Sequence, residues 1–333
     1  MFKRLFGVLV VIVLLAAIAL AADATRFFLS PLQNATGQLV MVESGMSFRS
    51  IARRLLDDDV IRHPREVHYL SAYARATGVA NRIKAGEYAV PAHQTPAHLL
   101  ELLVSGKTRQ YRLTMVEGQR FSDFRAQLDK DDAIDHQLTG KSDADVMAAI
   151  GHAGEKPEGR FMPDTYLFPR GMTDTAFLKR AYDAMQTYLT KAWADRADDI
   201  AVDSPYDALI LASIVEKETA VPAERTRISG VFTRRLKKGM LLQTDPTVIY
   251  GIKDYDGNIR RSDLRRDTPY NTYTRPGLPP TPIAMPSREA IHAALHPSSG
   301  DALYFVSRGD GSHVFSATLA EHNAAVDKYQ RGS

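Results

Sequence analysis

Apolar residues are spaced very unevenly along this chain, and the spacing predicts most of its elements. Leu5 to Ala22 is an 18-residue run without a charge, preceded by Lys3 and Arg4. That length suits a bilayer-spanning helix, which needs roughly 17–25 residues, better than a signal-peptide core of about 7–15. The positive flank places the short N-terminus in the cytoplasm. A cleaved signal peptide is the alternative, since Ala19-Leu20-Ala21 resembles a cleavage site. From Gln38 to about Lys107 the pattern reads strand, helix, helix, strand, helix. Leu39–Val42 is a short apolar strand. Ser47 caps a helix carrying Phe48, Ile51, Ala52 and Leu55, and Pro64 opens another with Val67, Leu70 and Tyr73. Ala85–Pro91 is the second strand, and Thr95-Pro96 starts a leucine-rich helix stopped by Gly106.

Further along, Tyr111–Val116 reads as a strand and Phe121, Phe124 and Leu128 as a helix face. Asp129–Gly154 is polar with little period outside Val146–Ile150, Pro157–Tyr166 is a Gly/Pro/aromatic loop, and Asp174–Asp195 is an amphipathic helix. Ser204-Pro205 opens a helix that is almost entirely apolar from Leu209 to Val215 and is therefore buried. Val221–Lys238 predicts another helix, Ala302–Val306 and His313–Phe315 two strands, and Thr318–Tyr329 a closing helix. The fold class is α+β, with a transmembrane helix over 1–25, a small βααβ module over 38–107 and a larger unit over 111–330. That unit has a first part, 110–203, and a core, 204–330.

Composition narrows the chemistry. The 333 residues include 42 Lys and Arg against 39 Asp and Glu, for a formal charge of +3, which gives no reason to expect nucleic acid as a partner. There is no cysteine, which removes disulfides, thiolate metal sites and thiol nucleophiles, and suits an oxidising compartment. Ser105-Gly106-Lys107-Thr108 imitates the end of a phosphate loop, but Glu101 stands where its first glycine belongs. His292 and His296 lack the intervening glutamate of a zinc protease, and no Gly-x-Ser-x-Gly elbow occurs. No metal or cofactor is expected.

Two carboxylates end the buried helix abruptly, Glu216 and Glu218. Two residues apart on a helix means about 200° of rotation, so they face different ways. Glu218 lies over Leu211, Ile214 and Val215, whereas Glu216 lies over Leu209, Ala212 and Ser213. Glu218 thus continues the bulkier apolar stripe, where desolvation raises a carboxyl pKa and favours the protonated acid that glycosidic cleavage requires. Alternatively, both are solvated residues where a buried helix emerges. Leu242–Gly251 and Pro269–Pro280 interleave amides, hydroxyls and aromatic rings, the combination that sugar recognition uses.

Several of these stretches resemble the YceG-like family of endolytic murein transglycosylases: Ala212–Ala220, Leu242–Gly251, Tyr270–Tyr273, Gly277–Pro280, Glu117-Gly118 with Phe121, and Pro157–Gly159 with Pro163–Tyr166. The segment Gly45-x-Ser47-x-x-Ser50-Ile51-Ala52, with Ala85-Gly86-x-Tyr88, resembles a LysM-type glycan-binding module; the alternative is a structural spacer. The resemblance implies cleavage of the MurNAc-β-1,4-GlcNAc bond within peptidoglycan strands, leaving a 1,6-anhydro end and terminating glycan elongation. It implies Glu218 as the catalytic residue, acting first as acid and then as base. Gln243, Asp245, Tyr250, Asn271 and Tyr273 are the candidates for lining the cleft, or else buried hydrogen-bonding scaffold. The partners implied are glycan strands and peptidoglycan synthases, at the inner membrane with the body in the periplasm. A non-catalytic glycan-binding scaffold and a muramidase-type hydrolase are the competing functions.

Overall fold

The computed structural model describes residues 2–32 and 37–331, which form two compact units. The chain up to Tyr111, joined by Leu167–Gly171, makes the first; Arg112–Tyr166 and the chain from Met172 onward make the second. The fold is mixed α+β, as the periodicities predict, and its strands form pairs rather than one continuous sheet.

In the first unit the apolar run is a single helix, Phe2–Leu29, and among the described residues it alone is long and apolar enough to cross a membrane. It continues past the apolar stretch, and its last turns dock on the helix Pro64–Ala76. Asp23 accepts a hydrogen bond from the Tyr69 hydroxyl at 2.8 Å and pairs with Arg65 at 3.2 Å, while Phe28 lies against Tyr73 with 4.7 Å between ring centres. The strand, helix, helix, strand, helix order is present. Gln38–Val42 pairs antiparallel with Gly86–Val90, and the helices Phe48–Asp57, Pro64–Ala76 and Pro96–Ser105 cover the pair. Ser47 and Thr95 cap two of these helices through their hydroxyls, which relieves backbone N–H groups otherwise left unpaired.

The second unit is built around the helix Pro205–Glu218. Ser204 caps it, Pro205 occupies its first turn, and every residue from Ala208 to Val215 is buried. Helices Asp174–Ala194, Arg225–Lys237 and Arg288–Leu295 surround it, and Leu209, Leu211, Ile214, Ile228, Phe232 and Ile291 fill the space between. A hairpin, Tyr304–Ser307 with His313–Ser316, lies beside Arg225–Lys237.

Three local expectations differ from the fold. The helix expected from Val221 begins as a 3-10 turn, Pro222–Glu224, and becomes α-helical at Arg225; a proline fits the first turn because its missing N–H has no partner there anyway. The stretch after Leu242 contains a short helix, Asp245–Gly251, opened by Pro246. The polar segment before Gly154 holds a helix, Asp143–Ala149, with Ser142 and Asp145 forming a reciprocal cap. Both helices span only 7 residues, too few for a hydrophobic period to show.

Candidate active site

The helix Pro205–Glu218 ends where Thr219 turns extended, and Glu216 and Glu218 both line one cavity beside that end. Glu216 is committed to structure. Its Oε2 accepts the Ser287 backbone N–H at 2.9 Å and the Ser287 hydroxyl, and its other oxygen lies 4.0 Å from Arg225. Ser287 in turn caps the helix Arg288–Leu295, so Glu216 fastens one core helix to the start of another.

Glu218 is half-buried and accepts a hydrogen bond from the Thr244 hydroxyl. Burial pushes its carboxyl up to about 7, with the Asp245 charge adding to the rise. The Thr244 bond and the nearby Arg235 and His313 oppose it. A carboxyl near 7 is divided between acid and base at neutral pH, the condition for one residue to do both. Two cavities meet at Glu218, which is the one described residue lining both. One, of about 740 Å³, also includes Glu117, Gly118, Asp164, Thr219 and Arg288. The other, of about 500 Å³, includes Arg235, Gln243, Asp245, Tyr273, Tyr304 and His313.

The five cleft candidates divide by how their polar atoms are used. Gln243 is exposed on the second cavity, and its backbone is in the left-handed region at φ 51°, a strained conformation for a residue other than glycine. Asp245 and Tyr273 line the same cavity and are joined by a 2.6 Å hydrogen bond from the tyrosine hydroxyl. Burial and then that carboxylate raise the phenol's pKa.

Tyr250 is half-buried and donates at 3.1 Å to Glu158. Burial raises the Glu158 carboxyl to about 7, although it also accepts the Phe121 N–H at 3.1 Å. Asn271 is fully buried. Its amide nitrogen reaches the carbonyls of Asp263, Leu264 and Arg266, and its oxygen accepts the Tyr273 N–H at 2.9 Å. Neither Tyr250 nor Asn271 lines either of these two cavities.

Three participants were not foreseen. Thr244 lies inside a stretch that the pattern had singled out, but its contact with Glu218 spans 26 positions in sequence. It is held by its neighbours, for its N–H donates to the Thr272 hydroxyl at 3.1 Å, and that hydroxyl meets Thr247 at 2.9 Å. Arg235 and His313 reach the site from a helix and a hairpin, and nothing local to either in the sequence points toward Glu218.

Known proteins share this organisation. A protein of Bacillus subtilis strain 168 named endolytic murein transglycosylase is 32% identical over 313 residues, 87% of this chain and 84% of that protein. A Streptococcus pneumoniae protein of the same name, from serotype 2 strain D39, is 31% identical over 170 residues, 49% of this chain and 30% of its own length. The crystal structure of a YceG-like protein from Listeria monocytogenes is 27% identical, with a TM-score of 0.53, covering 86% of this chain and 98% of that one. The YceG-like family pattern matches residues 40–328, which takes in the paired strands of the first unit, the helix ending in Glu218 and the threonine-rich loop that holds it. The chain belongs to the YceG-like family.

Proposed function

We propose that this protein is an endolytic lytic transglycosylase that cleaves the MurNAc-β-1,4-GlcNAc bond inside peptidoglycan strands. The observation that carries the reading is Glu218: a desolvated carboxyl near 7 where two cavities meet, while Glu216, which lines one of the two, is held by Ser287. In the acid form, Glu218 gives its proton to the bridging oxygen as the bond from the muramoyl anomeric carbon breaks. The resulting carboxylate takes the proton of the muramoyl 6-hydroxyl, whose oxygen closes on the anomeric carbon to give the 1,6-anhydro end. Glu218 is then protonated again and no water is consumed. Because the nucleophile belongs to the substrate, its attack is intramolecular and a second catalytic carboxylate is unnecessary.

Gln243, Asp245 and Tyr273 contact sugar in this scheme. Tyr250 and Asn271 act at one remove, by holding the helix Asp245–Gly251 and the loop after Arg266. The helix over residues 1–25 anchors the chain in the inner membrane, with the body in the periplasm. The LysM-like module over 38–107 binds the N-acetylglucosamine-containing strand, and 111–330 is the catalytic domain with 204–330 as its core. Cutting near the membrane, beside the peptidoglycan synthases, would end strand growth.

The test is to digest uncrosslinked glycan strands with the full chain and read the product ends by mass spectrometry. Anhydro ends that vanish in Glu218→Gln and persist in Glu216→Gln are expected. Reducing ends would mean hydrolysis, and an absence of products from the wild type would favour a binding scaffold.

A further inference from the structure

His313, in the wall of the Glu218 cavity, is paired with the buried Glu224, and neither has a part in the scheme above. Glu224 ends the 3-10 turn Pro222–Glu224 and is 8% exposed. Both of its carboxylate oxygens are directed at one residue: one accepts the His313 backbone N–H at 3.0 Å, the other meets the ring Nδ1 at 2.7 Å. A carboxylate beside Nδ1 keeps the proton on that nitrogen, which fixes the tautomer and presents Nε2 as the free end of the ring. The ring is also held edge-on against Phe305, with 5.5 Å between centres.

His313 lines the cavity of about 500 Å³ that contains Glu218, Asp245 and Tyr273, and its Nε2 has no protein hydrogen-bond partner among the described residues. Burying a carboxylate is costly before compensation, and an apolar pair would fill the space without that cost. Its position 89 residues from His313 in sequence is a tertiary arrangement, not a local turn.

We propose that His313 is a substrate-contacting residue, its Nε2 hydrogen-bonding a hydroxyl or acetamido group of the sugar beside Glu218, and that Glu224 is its positioning residue. The proposal rests on the cavity being the glycan cleft, and its test is separable from the transglycosylase chemistry. Strand affinity is measured in the Glu218→Gln background, where nothing is cleaved, using fluorescently labelled uncrosslinked glycan strands and the full chain in detergent.

Adding His313→Ala should weaken binding at least fivefold, while His313→Gln, which keeps a polar group near the Nε2 position, should recover most of it. Glu224→Ala should weaken binding as His313→Ala does, and Glu224→Gln, still able to accept from Nδ1, less so. Thermal melting of each variant separates lost affinity from lost folding. Equal affinity for His313→Ala and its parent would overturn the proposal, as would a loss that Gln does not recover in a folded protein. Wild-type protein that binds strands without forming anhydro ends would refute the reaction and leave this contact to be judged on the affinities alone.

Discussion

Replacing Glu218 by glutamine should make the folded protein more stable at high pH and leave it nearly unchanged at low pH. The carboxyl stands at about 7 in the folded chain against an ordinary 4.5, so ionising it in place costs up to about 3 kcal/mol more than ionising it in the unfolded chain. The folded state therefore holds the proton more tightly, and wild-type stability at this position is full below about pH 4.5 and is lost as pH rises through about 7. Glutamine does not ionise and can still accept from Thr244, so its contribution is flat across that window. Glu158, also held at about 7, adds a similar slope to both proteins and cancels in the comparison. One effect opposes the gain: Arg235 and His313 lose a nearby negative charge above pH 7. Both keep other partners, Arg235 on the carbonyls of Leu242 and Leu303 and His313 on Glu224. Urea unfolding of the detergent-solubilised chain at pH 4.5, 6, 7 and 8 measures the difference. The glutamine variant should gain progressively, reaching roughly 2–3 kcal/mol at pH 8, while losing activity at every pH. A gap that does not change with pH, or a variant that is less stable at pH 8, would refute the placement of Glu218 in a desolvated site.

Wild-type activity should decline as pH rises above about 7, because the acid half of the reaction needs the protonated Glu218; initial rates of anhydro-end formation from pH 5 to 9 test it. Asn271→Ala strips the amide from three backbone carbonyls and should cost about 2–4 kcal/mol, read as a lower urea midpoint with activity falling alongside. Gly159→Ala should destabilise strongly: its backbone is left-handed at φ +76°, and a methyl group there would lie 2.4 Å from a side-chain carbon of Pro282. Its melting temperature should drop while the small module, whose core Gly159 does not touch, retains its hydrogen-exchange protection.

How much of this could be read from the chain depended on distance along it. The long apolar helix at the N-terminal end, the capped helices Phe48–Asp57 and Pro205–Glu218, and the strand pair at 38–42 and 86–90 are written in local spacing and cap residues. The two short helices, Asp245–Gly251 and Asp143–Ala149, were missed because fewer than two full turns leave no period to detect. For the two carboxylates, a helix fixes the angle between positions, so the apolar stripe at Leu211, Ile214 and Val215 singled out Glu218; in the structure Glu216 lies close to the core as well, its side chain 8% exposed, and Glu218 is set apart by its contact with Thr244. The partners that tune it were not legible. Thr244, Arg235 and His313 arrive from a loop, a helix and a hairpin, and only tertiary packing brings them to one cavity.

The same reasoning separates the five cleft candidates, which the sequence could describe only as polar groups in apolar surroundings. A buried amide must have partners whether or not it meets a substrate, so what distinguishes scaffold from contact is whether those partners are already supplied. Asn271 has all of them from its own loop, and Tyr250 has Glu158. Gln243 is the opposite case: its left-handed backbone is held by an N–H bond to the Thr272 carbonyl at 3.1 Å, while its side chain is exposed on the cavity with no hydrogen bond among the described residues. Left-handed backbone costs a residue with a Cβ about 1 kcal/mol, and glycine would remove that strain. Gln243→Gly should therefore leave stability unchanged or slightly raised by urea unfolding, while weakening strand binding in the Glu218→Gln background. A glycine variant that binds strands as well as its parent would show that the strain serves the loop rather than the sugar.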